Sequence, residues 1–122
     1  MTEFEIPECT QSSIKETVRI IREARHLVAF TGAGISVESG VPPFRGPDGL
    51  WSTFDPKYLE LSYFRRHPDN CWRILKEIFY EHFAAARPNE AHRVLAHLEQ
   101  QGLLKAVITQ NIDNLHQLAG SE

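Results

Sequence analysis

The 122-residue sequence has few cysteines, little excess charge and no long apolar run. Its two cysteines, Cys9 and Cys71, stand far apart and outside any CxxC pair, which argues against a metal site built from them. The net charge of −3 offers no basic surface for nucleic acid or for an anionic membrane. No apolar stretch approaches the roughly 20 residues that span a bilayer. We therefore expect no nucleic-acid partner, no membrane partner and no metal site in this chain.

The amino-terminal residues 1–5 are acidic and lack the basic and then apolar pattern of a signal peptide. We therefore expect a cytoplasmic location, and a nuclear one stays open. The length fits one small domain. We predict a flexible tail over residues 1–11 and a single domain over residues 12–122, and the oligomeric state stays open.

Local patterns predict an α/β arrangement. Ser13 and Glu16 have the spacing of a capping box, so we predict a helix over residues 13–25. The apolar run at residues 26–31 does not alternate with polar residues, which is typical of a parallel strand covered on both faces. Residues 103–109 predict a second strand of the same kind.

The remaining helices are marked by caps and breakers. Asn89 is a good N-cap for a helix that Gly102 ends, and a short helix over residues 114–118 stops at Gly120. Pro68 opens another helix, and residues 40–56 are rich in glycine and proline, which predicts a loop. The apolar stripes predicted on the two longer helices are Trp72, Leu75, Phe79 and Phe83 on the first, and Ala91, Val94, Leu95 and Leu98 on the second.

The segment at residues 31–36 reads TGAGIS and directly follows the first predicted strand. Glycines at such a turn let the backbone approach a phosphate closely, and the turn amides can then point at the anion. Val37 occupies the place of the third glycine of the ordinary dinucleotide fingerprint, so the triplet alone is weak evidence. A glycine turn that binds nothing is the alternative interpretation.

A second polar segment, TQNID at residues 109–113, follows the second predicted strand. Polar residues just beyond the carboxyl end of a parallel strand face the ligand crevice of an α/β sheet. Asn111 and Asp113 alternate around Ile112, and an amide and a carboxylate together can pair with a carboxamide. The alternative is that Asp113 merely caps the short helix that follows.

The two segments together resemble the sirtuins, a family of NAD-dependent protein deacylases. The family pattern GAGIS, two variable residues and SGIPDFRG corresponds to residues 32–46, and TQNID with LHxxAG corresponds to residues 109–120. Pro43 stands where the family commonly has aspartate, which leaves the effect of that change open. The resemblance extends over residues 14–122.

The resemblance implies an incomplete Rossmann-like parallel sheet with flanking helices and a long cofactor-binding loop, with NAD as the cofactor. Asn111 and Asp113 would support catalysis at the nicotinamide end. Phe44 would lie over the nicotinamide and ribose, and Arg45 would contact the cofactor from the loop. The full set of implied cofactor-binding residues is Gly32, Ala33, Gly34, Ile35, Ser36, Val37, Phe44, Arg45, Gln110, Asn111, Ile112 and Asp113.

The resemblance also implies a reaction: an acetyl group is removed from protein lysine, with release of nicotinamide and O-acetyl-ADP-ribose. The partners would be NAD and acetyl-lysine proteins. The family's catalytic histidine lies in a later motif, beyond Glu122, and its four zinc cysteines are absent from this chain. We therefore expect the N-terminal part of a catalytic domain, inactive and poorly stable by itself, in which His92 and His116 are structural.

Two other functions stay open on the same scaffold. One is a non-catalytic NAD-binding or interaction module, and the other is an NAD hydrolase or ADP-ribosyltransferase. Sirtuins that prefer succinyl or malonyl groups carry a Tyr-x-x-Arg pair on the helix after the cofactor loop. Residues 71–80 contain no such pair, so we predict a preference for acetyl or other uncharged acyl groups.

Overall fold

A computed structural model describes residues 7–47, 49–81 and 83–122. Within these residues lie six α-helices, two β-strands, two 3-10 helices and one π-helical turn. Their order is α1 (Glu8–Glu23), β1 (Leu27–Thr31), a 3-10 helix (Ala33–Ser39), α2 (Leu50–Thr53), a 3-10 helix (Pro56–Leu59), α3 (Leu61–Arg66), α4 (Pro68–Lys76), a π-helical turn (Glu77–Glu81), α5 (Glu90–Gln100), β2 (Leu104–Thr109) and α6 (Leu115–Ala119). None of the helices in the described part of the chain has the length and apolar character of a membrane span.

The two strands form a parallel pair, as an incomplete Rossmann-like sheet requires. Pairing runs from Leu27 opposite Leu104 to Thr31 opposite Thr109, with one irregularity just after Leu27. Because the strands are parallel, their carboxyl ends lie at the same edge of the sheet. The 3-10 helix at Ala33–Ser39, which we call the glycine turn, therefore begins beside the segment that follows β2.

Helix α1 begins earlier than the capping-box spacing predicted, at Glu8 rather than at Ser13. Ser13 is not a cap, because its Oγ donates to the carbonyl of Cys9 at 3.1 Å, one turn back within the helix. The helix thus includes residues 8–11, which the sequence analysis assigned to the tail. Residues 1–6 lie outside the described residues, and the division of the chain at residue 12 stays a prediction.

One face of the sheet is uncovered within the described residues, as an incomplete sheet implies, although the apolar pattern of β1 is typical of a strand covered on both faces. Val28 and Phe30 point outward and are 40% and 68% exposed, and Ile108 on β2 is 53% exposed. The other face of β1, which includes Leu27 and Ala29, is half-buried. Helix α5 packs against β2, and among the described elements no helix covers the outer side chains.

Helix α4 begins at Pro68 as predicted, but its α-helical part ends at Lys76 and continues as the π-helical turn. The predicted stripe is not uniformly inward, since Trp72 is 63% exposed while Cys71 and Ile78 are buried. The preceding loop is more ordered than its composition indicated, because it contains helix α2. Helix α3 was not predicted at all.

Helix α5 begins at the predicted cap but turns a different face inward. The Asn89 side chain accepts from the backbone N–H of His92, and Gly102 ends the segment with a positive φ of 72°. Val94 is 50% exposed and Ala91 is also exposed, whereas His92 and Ala96 are buried. The predicted inward residues Leu95 and Leu98 are half-buried.

A small apolar cluster joins the loop at residues 40–56 to the last helix. The cluster contains Val41 of the loop, Ala86, which precedes α5, and Leu115 of α6, all of them buried, and Phe83 packs against these three residues. Helix α6 lies between Asn114, with φ of 62°, and Gly120, with φ of 103°, close to its predicted position. This packing fixes the start of α6 against the loop and so positions the segment between β2 and α6.

Candidate functional site at the carboxyl edge of the sheet

The glycine turn leaves β1 at Gly32 and ends at Gly40, whose φ of 86° favours glycine. A Cβ added to Gly34 would meet no atom within 4 Å, and Gly34 is exposed. The protein surface over the start of this turn is therefore open. A ligand can approach the backbone amides there without displacing a side chain.

Three polar side chains meet at this edge, and we call Ser36, Asn111 and Asp113 the polar edge cluster. The Asn111 amide donates to the Gly32 carbonyl at 3.0 Å and to Ser36 Oγ at 3.2 Å. Ser36 is fully buried, and its hydroxyl donates to Asp113 Oδ2 at 2.6 Å. The cluster connects the glycine turn to the segment after β2 through two bonds between side chains and one to the Gly32 carbonyl.

Asp113 makes both kinds of contact that the sequence left open, one at the start of the following helix and one in the candidate site. Its Oδ1 accepts from the backbone N–H of Leu115 at 3.0 Å, which stabilises the start of α6. Its Oδ2 belongs to the polar edge cluster. The carboxylate is thus fixed at both oxygens, although each oxygen retains a further lone pair for a ligand.

The N–H groups of Asn111 are all used in hydrogen bonds, whereas its side-chain oxygen Oδ1 is available to accept one. Its backbone N–H donates to Thr109 Oγ1 at 3.0 Å, and its side-chain N–H groups are used within the cluster. Within the part of the chain that the structure describes, no donor reaches Asn111 Oδ1. Ile112, the next residue, is 72% exposed, so this segment faces solvent on one side.

The structure brings only part of the predicted site together. The glycine turn, Gln110, Asn111 and Asp113 lie side by side, and a Cβ on Gly32 would come within 3.9 Å of Gln110 Oε1. Val37 lies on the turn and is 44% exposed. Phe44 instead stacks on Trp51 within the loop, at 5.4 Å between ring centroids, and Arg45 is exposed beside it.

Two buried histidines lie behind the glycine turn. His92 and His116 pack edge to face at 4.8 Å between ring centroids, and His116 Nε2 lies 2.8 Å from Thr31 Oγ1. Burial lowers the pKa of both imidazoles, and the neighbouring charge of His116 lowers the pKa of His92 further, while Asp113 opposes the shift in each. These contacts agree with the structural roles expected for both residues.

Asn89 makes a contact that the sequence reasoning missed. It was predicted as an N-cap, and its side-chain Nδ2 also donates to the carbonyl of Ile35 in the glycine turn at 2.6 Å. The available signal was the stretch PNEAH at residues 88–92, which contains both the Asn89 cap and His92.

An apolar cavity of about 290 Å³ adjoins the polar segment through Ile112. Its walls come from α4 and the π-helical turn. The lining residues are Trp72, Leu75, Lys76, Phe79, Tyr80 and Ile112. Three of the four residues of the predicted α4 stripe therefore line a cavity instead of filling a core.

The two cysteines lie in different surroundings, Cys9 exposed on α1 and Cys71 buried on α4. Across residues 7–47, 49–81 and 83–122, no three His, Cys, Asp or Glu side chains are grouped so that they could hold a metal ion.

The family model described as the Sir2 family matches residues 32–122, which include both segments of the site. The chain belongs to the Sir2 family. This match covers well over half of the chain and begins at the glycine turn. The expected family, and with it the incomplete Rossmann-like fold, are therefore confirmed.

Two relatives match nearly the whole chain. An NAD-dependent protein deacetylase of Caldivirga maquilingensis is 52% identical over an alignment of 117 positions that covers 93% of this chain and 44% of that protein. An NAD-dependent protein deacylase of Aeropyrum pernix is 54% identical over 110 residues, covering 89% and 44%. The chain thus spans less than half the length of these curated relatives.

Solved Sir2 structures share both the fold and the sequence. A Sir2 variant with a deacetylated p53 peptide and 3′-O-acetyl-ADP-ribose has a TM-score of 0.85 at 46% identity, covering 89% of this chain and 44% of that one. A Sir2 complex with a p53 peptide and NAD+ has a TM-score of 0.78 at 46% identity, covering 89% and 42%.

Proposed function

We propose that the protein carrying this chain is an NAD-dependent protein lysine deacetylase, and that this chain supplies the binding site for the nicotinamide end of NAD. The observation that carries the proposal is the polar edge cluster, which joins the two family segments at one edge of the sheet. Relatives named as NAD-dependent deacetylases and deacylases support the reaction class.

The described residues fit NAD. The carboxamide of nicotinamide needs an acceptor for its N–H groups, and Asn111 Oδ1 offers one. The open surface at Gly34 suits a pyrophosphate, because backbone amides at the start of a turn bind anions. Asp113 contributes a negative charge near the position proposed for the positively charged nicotinamide ring.

When bound, NAD supplies the ADP-ribose that accepts the acyl group, and nicotinamide is released. This chain's part is to bind and orient. Asn111 is fixed by its hydrogen bonds to Gly32 and Ser36, so its amide is already oriented before a ligand arrives. Ser36 and the Leu115 N–H hold the Asp113 carboxylate in the same way.

The other implied contacts are also part of the proposal. We propose that the glycine-turn residues Ala33, Ile35 and Val37 contact the cofactor together with Gln110 and Ile112. Phe44 and Arg45 lie in the loop, where the Phe44 ring stacks on Trp51.

Zinc does not fit the residues of this chain. The family's zinc module uses four cysteines, whereas the sequence has two, one exposed on α1 and the other buried on α4. No step of the proposed reaction is therefore assigned to zinc here. The partners that we propose are NAD and acetyl-lysine proteins, and the location that we propose is the cytoplasm.

We further propose that the preferred acyl groups are uncharged. The cavity beside Ile112 is lined mainly by apolar side chains, and no arginine is among its lining residues. An acyl carboxylate there would meet mainly apolar walls and no arginine to pair with, which is unfavourable for a charge. Faster turnover of succinyl-lysine than of acetyl-lysine peptide by the full gene product would contradict this preference.

To test the main proposal, the full gene product is incubated with an acetyl-lysine peptide and NAD. All products are then measured by mass spectrometry. We expect deacetylated peptide, nicotinamide and O-acetyl-ADP-ribose in equal amounts, with no deacetylation when NAD is omitted. Nicotinamide release without peptide would favour an NAD hydrolase or ADP-ribosyltransferase. NAD binding without any turnover would favour the non-catalytic module.

A further inference from the structure

Two side chains from different helices fasten the glycine turn from behind. At the end of β1, just before the turn, Thr31 Oγ1 lies 2.8 Å from His116 Nε2 of α6. In the middle of the turn, the Ile35 carbonyl accepts from Asn89 Nδ2 at 2.6 Å. The turn that we propose to bind NAD is thus held at two points, neither of which belongs to the polar edge cluster.

Asn89 is itself held rigidly. Its Oδ1 accepts from the backbone N–H of His92 at 3.3 Å, and His92 Nδ1 lies 2.9 Å from the same oxygen. The Asn89 backbone N–H donates in turn to His92 Nδ1 at 3.4 Å, so the two residues form a reciprocal capping box. With Oδ1 fixed by these bonds, the Nδ2 group of Asn89 can point in only one direction, toward Ile35.

We propose that Asn89 is a positioning residue for NAD binding, acting through the Ile35 carbonyl to hold the glycine turn in its binding geometry. The same side chain caps α5 and holds the glycine turn. Because α5 packs against β2 and α6, the position of the turn depends on that packing. This inference rests on the proposed function, because it assumes that the turn binds NAD.

The substitution that tests the role is Asn89→Ser. Serine is as good an N-cap as asparagine, so α5 keeps its cap, but its short hydroxyl cannot reach Ile35. The matched control is Asn70→Ser on α4, where the lost hydrogen bond is an exposed one to Arg73. Both variants are made in the full gene product, with an acetyl-lysine peptide as the second substrate.

We expect Asn89→Ser to raise KM for NAD about fivefold to tenfold, as expected for losing one well-aligned hydrogen bond that orders a site. KM for the peptide should match that of Asn70→Ser, and the melting temperature should be lower than in that control only by the loss of one part-buried hydrogen bond. Hydrogen exchange should become faster at the amides of the glycine turn in Asn89→Ser only.

An unchanged KM for NAD, or equal changes in both KM values together with a lower melting temperature, would overturn the positioning role. If the unsubstituted protein turns over no NAD, the proposed function fails, and the exchange measurement decides alone whether Asn89 fastens the turn. Faster exchange in Asn89→Ser than in Asn70→Ser would then support the fastening, and equal exchange would overturn it.

Discussion

Ser36 and Asp113 are 77 residues apart in sequence, and a hydrogen bond of 2.6 Å joins the serine hydroxyl to the carboxylate. Ser36 is fully buried, so this bond is shielded from competing water. Because Ser36 also accepts from Asn111, one hydroxyl connects both side chains proposed for the nicotinamide end. This hydroxyl therefore links the packing of the glycine turn to the orientation of the site.

Ser36→Ala should destabilise the protein and weaken the site together. The change leaves the Asp113 carboxylate and the Asn111 amide each one partner short, and we expect the free energy of unfolding to fall by about 1–3 kcal/mol. Urea denaturation of the full gene product measures this loss, and titration with NAD should show weaker binding. Ser62→Ala, an exposed site on α3, is the control. Equal stability of the two variants would contradict the role given to Ser36.

Gly34→Ala should separate binding from folding. The new methyl group would meet no protein atom within 4 Å, so the fold should accept it. Alanine also restricts the unfolded chain, so the free energy of unfolding should stay the same or rise by up to about 1 kcal/mol. The methyl would lie where we propose that the backbone approaches NAD, so the affinity for NAD should fall at least about tenfold. Unchanged affinity would show that Gly34 does not face the cofactor.

Gly49→Ala should lower the stability of the fold, unlike Gly34→Ala. A Cβ at residue 49 would lie 2.7 Å from the Arg45 carbonyl carbon and 2.9 Å from its oxygen, and these backbone atoms cannot move without moving the loop. We expect the free energy of unfolding to fall by about 1–3 kcal/mol in urea denaturation. Gly34→Ala is the matched control, and a stability equal to that of the control would contradict the close approach.

Many of the secondary-structure elements could be predicted from local sequence patterns. The two strands, the Asn89 cap and the glycine ends of α5 and α6 have strong local signals, and the structure contains all of them. The carboxyl edge of the sheet could also be predicted as the site, because parallel pairing brings the ends of β1 and β2 together. The family resemblance itself rests on the segments at this edge.

The predictions that the structure contradicts, and the contact that was missed, depend on interactions that local sequence patterns do not determine. Ser13 was taken as a cap, although a serine hydroxyl inside a helix can donate to the carbonyl one turn back. The inward face of α5 was wrong because His92 packs on His116 of α6, a contact between helices that the α5 sequence cannot show. The bond from Asn89 to Ile35 joins residues 54 apart, and its existence depends on tertiary packing.

The buried histidine pair should make stability depend on pH. Burial lowers the pKa of His92 and His116 below the ordinary value of 6.5. Above pH 6.5 both are neutral in the folded and unfolded states, so the contribution of the pair to stability is complete there. As the pH falls below 6.5, the unfolded chain binds protons that the folded protein does not, and the free energy of unfolding declines.

Urea denaturation of the full gene product across this pH range measures the decline. His116→Gln removes one titrating group and the charge that opposes protonation of His92, so the pH dependence should become shallower. His97→Gln, at an exposed position on α5, is the control and should keep the slope of the unsubstituted protein. An identical slope in all three proteins would show that the buried pair does not contribute.

The 122-residue chain expressed by itself should associate. Within the described residues, Phe30 and Ile108 leave an apolar sheet face open, and each strand has one unpaired edge. We expect sedimentation velocity to show association that grows with concentration. Phe30→Lys should reduce it more than Leu61→Lys, which replaces a similarly exposed apolar residue on α3. A monomer with a sharp cooperative melt would contradict this expectation.

The most direct test of the central claim compares the two ends of NAD at Asp113. NAD and ADP-ribose, which lacks the nicotinamide, are titrated separately into the full gene product and into its Asp113→Asn variant. If the polar edge cluster binds the nicotinamide end, the variant should bind NAD at least about tenfold more weakly while its ADP-ribose affinity stays within about twofold. Equal losses for both ligands, or no loss for NAD, would contradict the assignment.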